Sequence, residues 1–124
     1  GEALGMAFQI QDDILDFKRD NNTGKPSNND LREKKITLPM LEVMERKSEE
    51  ERRVMLALLK RASEDESAVD ELHRIVVEGG GLELAAETMH AYIHRAMHHA
   101  SKYPDTPYRR AMLDLCTFIA ERDR

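Results

Sequence analysis

The chain has 124 residues, enough for one modest domain with a hydrophobic core and too few for two. Its composition is 40% hydrophobic, 35% charged and 5% aromatic with no Trp, which fits a soluble helical protein and argues against an aromatic base-stacking surface. The net charge of −5 argues against nucleic acid or an anionic membrane as a partner. No segment approaches the roughly 20 apolar residues of a membrane span, so we expect a cytoplasmic protein.

Apolar residues recur every three or four positions along nearly the whole chain, and strict alternation is absent, so the sequence predicts an all-α helical bundle. A first helix is expected from Glu2 to about Phe17, followed by a polar loop over Lys18–Asn29. The next helix is predicted to begin near Thr37, with Pro39 in its first turn, where a missing N–H costs little. Its inward-facing residues are expected to be Leu38, Leu41 and Met44.

Two later helices have N-terminal capping signals. Ser48 with Glu51 three residues later has the spacing of a capping box. The helix that follows is expected to bury Val54, Met55, Leu58 and Leu59. Ser67 with Asp70 is a weaker signal of the same kind, for a helix that runs to Glu78 and ends at the three glycines 79–81.

The remaining residues predict a long helix from Leu82 to about Lys102, a turn over Tyr103–Pro107 and a final helix from Tyr108 onward. Cys116 lies in that final helix among apolar residues at helical spacing. As the single cysteine it cannot form an internal disulfide, and we expect it to pack in the core without a chemical role.

The first predicted helix contains the sequence GMAFQIQDDILDF, residues 5–17, in which three carboxylates stand among apolar residues. At about 100° per residue, Asp12 and Asp16 fall on one stripe and Asp13 lies beside it. Such closely spaced carboxylates repel one another unless cations compensate, and Mg²⁺ prefers hard oxygen ligands together with substrate phosphates. A solvated acidic patch is the alternative, which the apolar neighbours make less favourable. The face in question comprises Gly5, Phe8, Gln9, Asp12 and Asp16.

Lysines follow this helix in the predicted loop. Lys25 and Lys35 carry mobile positive charges of the kind that bind phosphate oxygens. A phosphate-binding loop of the NTPase type is excluded, because no glycine precedes Gly24 at the required spacing and Pro26 follows the first lysine. Solvent-exposed lysines are the alternative, and their pairing with the carboxylates favours a diphosphate site.

These elements together resemble a known family. Gly5–Phe17, followed by Gly24–Pro26, Asp30–Glu33 and Lys35–Pro39, closely resembles the second aspartate-rich region of trans-isoprenyl diphosphate synthases, the polyprenyl synthetase family. The resemblance covers roughly the first 40 residues, and the later helices look like the family's C-terminal part. It implies the all-α isoprenoid synthase fold, a single domain of helices around a deep apolar cavity. Residues 1–124 would form only the C-terminal segment of that domain.

The family's chemistry implies a role for each residue of this motif. A prenyltransferase of this kind condenses an allylic diphosphate with isopentenyl diphosphate, in the presence of Mg²⁺, to give a longer polyprenyl diphosphate. Lys34 stands where the family has a small residue, which leaves it as an alternative to Lys35. The resemblance implies Asp12, Asp13 and Asp16 as Mg²⁺ ligands, directly or through water, Gln9 as a contact of the allylic substrate, Lys25 and Lys35 as contacts of its diphosphate, and Phe8 facing the cavity.

Several parts that the family uses are not found in these residues, the first aspartate-rich motif among them, and the main catalytic residues are expected upstream. We therefore expect the 124 residues alone to be inactive and to self-associate through exposed apolar helix faces. The resemblance implies a homodimer for the longer parent protein. A non-catalytic helical subunit or interaction module of the same fold is the alternative, and the intact set of aspartates and lysines favours the enzyme.

A histidine stripe forms a second constellation. His90, His94 and His98 recur every four residues on the long predicted helix. One such pair could share a metal ion, but His90 and His98 would lie about 12 Å apart along the axis, so the three cannot bind one ion. We expect a partly exposed stripe rather than a zinc site.

Overall fold

A computed structural model describes residues 2–18 and 27–121, which contain helices and no strand, so the predicted all-α fold is confirmed for this part of the chain. None of the helices in the described ranges has the length and apolar character needed to cross a membrane. In chain order the helices are α1 (Glu2–Lys18), α2 (Asn29–Arg32), α3 (Leu38–Glu45), α4 (Glu49–Arg61), α5 (Glu66–Glu78), α6 (Gly81–Ser101) and α7 (Pro107–Glu121).

The described residues fall into two units, one of residues 13–18 and 27–85, the other of residues 2–12 and 86–121. The first unit has a core of side chains from the end of α1 and from α2, α3, α4 and α5. These helices are short and amphipathic, so each depends on burying its apolar face against the others. The buried members are Phe17, Leu31, Met40, Val43, Met55, Leu58, Leu59, Ala62, Ala68, Val69, Leu72 and Val76.

The second unit combines the first part of α1 with most of α6 and all of α7. Gln11 is fully buried there, and its Nε2 donates to the carbonyl oxygen of Ile119 at 3.0 Å. Cys116 is also fully buried, which confirms its predicted place in the core, and burial raises the pKa of its thiol. The apolar residues buried in this unit are Leu4, Ala7, Ile10, Met89, Ile93, Ala96, Ala100, Cys116 and Ile119.

The capping box at the start of α4 is confirmed. The Glu51 backbone N–H donates to Ser48 Oγ at 3.1 Å, and the Ser48 backbone N–H donates to Glu51 Oε1 at 3.0 Å. Thr37 is the N-cap of α3, and Pro39 lies in its first turn as predicted. Local sequence therefore sets both of these helix starts.

The start of α5 differs from the prediction. The N-cap is Asp65 rather than Ser67, and α5 begins at Glu66. Asp65 has an extended backbone, and its Oδ1 accepts from the Ser67 backbone N–H at 3.0 Å and from the Ser67 hydroxyl at 2.6 Å. A carboxylate at this position also interacts favourably with the positive end of the helix dipole, which explains why it displaces the serine.

Two residues predicted to face inward are exposed. Val54 is 53% exposed and Leu41 is 43% exposed, so both predictions are wrong. On α4 the buried stripe passes through Met55, Leu58 and Leu59, and Val54 lies one residue, or about 100°, away from it. On α3 the buried stripe passes through Met40 and Val43, while Leu38 and Met44 are half-buried at its edges.

Candidate functional site

The three aspartates of α1 lie on one continuous helix but differ in exposure. The Asp12 side chain is exposed, as are Gly5 and Gln9, whereas Asp13 is 9% exposed and Asp16 is 4% exposed. Phe8 is half-buried. The predicted face is therefore exposed at its first residues and covered at its last one.

The segment that covers Asp16 is the start of α2. Asp16 Oδ1 accepts from the Asn29 backbone N–H at 3.2 Å, and Oδ2 accepts from the Asp30 backbone N–H at 3.0 Å. The Asp16 carbonyl oxygen accepts from the Asn28 backbone N–H at 2.9 Å. Each carboxylate oxygen has a second lone pair, so these bonds orient Asp16 without using all of its acceptor capacity.

Asn28 and His73 are two residues of this site that the sequence analysis did not single out. Asn28 is buried, with φ 64° in the left-handed region, and its Oδ1 lies 2.7 Å from His73 Nδ1. The His73 ring also packs against Phe17, with ring centroids 5.8 Å apart. An Asn before a short polar segment hints at a left-handed turn, but nothing in the sequence pairs it with a residue 45 positions later.

An ion pair ties α2 to α5. The Arg32 guanidinium forms two hydrogen bonds with the Glu66 carboxylate, one of them from Nε to Oε2 at 3.1 Å, and a further one with the Ser27 carbonyl oxygen. The hydrogen bond from Arg32 lowers the pKa of Glu66. Paired in this bidentate way, Arg32 holds the segment that covers Asp16 against the first turn of α5.

Lys34 and Lys35, the two alternatives for the second lysine of the site, follow α2 in a Schellman turn. The Lys34 backbone N–H donates to the Leu31 carbonyl oxygen at 2.9 Å, and the Lys35 backbone N–H donates to that of Asp30 at 2.8 Å. Lys34 has φ 61°, a conformation that glycine adopts without strain.

The backbone of Asp30 connects the buried carboxylate with the second lysine. The Asp30 backbone N–H donates to the Asp16 carboxylate, and the Asp30 carbonyl oxygen accepts from the Lys35 backbone N–H. The Lys35 side chain is exposed, and its Nζ lies 3.3 Å from Glu33 Oε1. The fold therefore places two of the predicted site residues on either side of one peptide segment, while Lys25 lies outside the described residues.

The described residues contain no group of three or more His, Cys, Asp or Glu side chains that could hold a metal ion by themselves. His90, His94 and His98 are all exposed on α6, so the expected stripe is confirmed.

Comparisons with known proteins agree with the resemblance. Residues 1–76 match the family model described as polyprenyl synthetase. A short chain isoprenyl diphosphate synthase of Methanothermobacter thermautotrophicus is 32% identical, over 99% of this chain and 38% of its own length. A nonaprenyl diphosphate synthase of Mycobacterium tuberculosis is 33% identical, over 98% of this chain and 36% of its own length. The chain thus spans little more than a third of these relatives.

A similar fold is found in a crystal structure of a polyprenyl synthase from Caulobacter crescentus CB15, complexed with calcium and isoprenyl diphosphate. The two superpose with a TM-score of 0.79 at 28% identity, over 97% of this chain and 37% of that one. The described helices therefore share the all-α fold of a polyprenyl synthase.

Proposed function

The chain belongs to the polyprenyl synthetase family, and from this premise we propose that the protein is a prenyltransferase that condenses an allylic diphosphate with isopentenyl diphosphate. The observation that carries the proposal is the family match over residues 1–76, which includes every candidate site residue. The named relatives, all of them prenyl diphosphate synthases, support the same reaction. Because the chain spans little more than a third of these relatives, the activity is proposed for the protein that contains it.

Of the three aspartates of α1, Asp12 is the most accessible to an ion carried in by a diphosphate, because its side chain is exposed. Asp13 and Asp16 would support it from their more buried positions, directly or through water. Bound Mg²⁺ would stabilise the negative charge that develops on the diphosphate leaving group. The chain's contribution is to carry these carboxylates within little more than one turn of a single helix.

Lys25 and Lys35 would contact the diphosphate of the allylic substrate, and Gln9 would contact the substrate beside it. The exposed Lys35 ammonium supports this role, since an ion pair with exposed Glu33 is easily exchanged for a phosphate. Phe8 would face the apolar cavity. Lys34 is less suited to this role because its left-handed backbone is needed for the turn.

The proposal is tested by chain elongation from labelled isopentenyl diphosphate and an allylic diphosphate with Mg²⁺, in the protein that contains these residues. Asp12→Asn should lower kcat/KM by at least about 100-fold, since a metal ligand contributes several kcal/mol to the barrier. Asp114→Asn, the same change at an exposed position of α7, is the matched control and should leave the rate unchanged. An active Asp12→Asn variant would contradict the assigned role.

Two further expectations stay predictions and have direct tests. Residues 1–124 alone should give no elongation product in the same assay. The protein that contains them should sediment as a homodimer, and a monomer at all concentrations would contradict that assembly. A non-catalytic subunit would instead show neither elongation nor sensitivity to Asp12→Asn.

A further inference from the structure

We propose that His73 is a positioning residue of the candidate metal site: through Asn28 it orients the two backbone amides that hold the Asp16 carboxylate. The three contacts are observed in the structure, whereas their importance for catalysis rests on the function proposed above. No part of the resemblance or of the family match assigns a role to this histidine.

The first link is the bond from the imidazole to Asn28. His73 Nδ1 lies 2.7 Å from Asn28 Oδ1, and because an amide oxygen only accepts, Nδ1 carries the proton. Burial lowers the pKa of His73, against an opposing effect of Asp70, so the neutral ring is favoured. The ring of Phe17 packs against the His73 ring and restricts its tilt. The hydrogen bond to Asn28 determines which side of the His73 ring faces Asn28.

The second link runs through the backbone of Asn28. Its φ of 64° lies in the left-handed region, which Asn tolerates better than most residues. Its own N–H donates to the Asp16 carbonyl oxygen, and the next two amides point at the Asp16 carboxylate. Rotation about the backbone of Asn28 would redirect both of these N–H groups, so a restraint on its side chain restrains the carboxylate.

A purely structural role for His73 would be packing against Phe17, which an apolar side chain of similar size also provides. The two roles differ in what they predict for individual amides. A packing residue affects the stability of the whole unit, whereas a positioning residue affects the amides of Asn29 and Asp30 beyond that general effect.

Amide hydrogen exchange, followed residue by residue in the protein that contains this chain, separates the two roles. His73→Leu keeps an apolar side chain but removes the donor, and it should speed exchange at Asn29 and Asp30 about fivefold more than at other amides. His73→Asn retains an N–H donor at the same distance along the side chain as Nδ1 and should restore both amides to within about twofold of the original chain. Ile75→Val, on the same helix and packed against the same core, is the matched control. It should speed exchange at Asn29 and Asp30 no more than at other amides.

A second variant keeps the test valid if His73→Leu unfolds, because Asn28→Gly breaks the same hydrogen bond with His73 in place and should speed exchange at Asn29 and Asp30 in the same way. Asn28→Gly retains the left-handed turn and removes the acceptor. If His73 acts through Asn28, then adding His73→Leu to Asn28→Gly should not further speed exchange at Asn29 and Asp30 relative to the other amides. A further increase in the double variant, or uniform acceleration of all amides in either histidine variant, would overturn the proposal.

Calorimetric titration of the protein that contains these residues with inorganic diphosphate and Mg²⁺ then tests whether His73 affects binding at the candidate site. The affinity should fall at least about threefold in His73→Leu and recover in His73→Asn. If the unmodified protein that contains these residues binds no Mg²⁺-diphosphate, the site proposed above fails, and the exchange data still decide the positioning role. If His73→Leu binds as tightly as the original chain, the histidine does not act on the metal site.

Discussion

Replacing Lys34 with glycine should stabilise the protein, because Lys34 holds a left-handed backbone at φ 61° in the turn after α2. An L-residue in this conformation costs about 1–2 kcal/mol. Glycine avoids that cost but loses about 0.5–1 kcal/mol more conformational entropy on folding. The difference predicts a gain of about 0.5–1 kcal/mol in the free energy of unfolding, or about 2–4 °C in melting temperature for a chain of this size.

Urea and thermal unfolding followed by circular dichroism would measure this gain. Lys34→Ala removes the same charge and long side chain but keeps the β-carbon, so it should give no comparable gain. Lys35→Gly is the neighbouring control: its φ is not positive, and glycine there should cost about 0.5–1 kcal/mol.

The reasoning would be refuted if Lys34→Ala stabilised the protein as much as Lys34→Gly, since the effect would then come from the lost lysine side chain. It would also be refuted if Lys34→Gly had no effect or a destabilising one. Either outcome would mean that the left-handed turn contributes no measurable strain to the folded chain.

Three further predictions follow from the fold. Val54→Ser should change stability by less than about 0.5 kcal/mol, whereas Met55→Ala should cost about 2–5 kcal/mol in urea unfolding, because only Met55 is buried. The stability advantage of the original chain over Glu66→Gln should be full above pH 4.5, the ordinary pKa of the carboxyl, and should be lost as the pH falls through the lowered pKa of Glu66; the absence of any advantage at pH 7 would contradict the Arg32 pairing. Cys116 should react with dithionitrobenzoate at least about 100-fold more slowly in the folded chain than in urea, and equal rates would contradict its burial.

Sequence patterns predicted the fold class and most helix starts because these depend on neighbours within one or two turns. The capping box of Ser48 and Glu51 and the proline after Thr37 act within four residues, so their effect is readable without knowledge of the fold. The prediction failed at Ser67, where two capping residues compete within three positions and the carboxylate of Asp65 forms the cap.

Side-chain burial was less predictable. Val54 and Leu41 are apolar and lie near apolar neighbours, yet the buried stripe of each helix passes beside them. The periodicity of a short helix defines an apolar face only to within about one residue, or 100°. Which of two adjacent apolar residues is buried depends on the helices packed against that face.

At the candidate site, the sequence by itself determined which charged side chains are available and their spacing along the helix. It set the carboxylates of Asp12, Asp13 and Asp16 within four residues of one helix, placed the lysines after them, and thereby indicated a metal-diphosphate site. Helical spacing also placed Asp12 and Asp16 on one stripe, because the angle between residues of an α-helix is constant.

Only the tertiary structure decided which of these carboxylates is exposed and what holds the others. Asp16 is covered by amides 13 and 14 residues later, and Asn28 is held by a histidine 45 residues later. Contacts over such separations depend on how α2 and α5 pack around the end of α1, and no local pattern encodes that packing. The residue types of the site can therefore be read from the sequence, whereas the orientation and solvent exposure of their side chains depend on the folded chain.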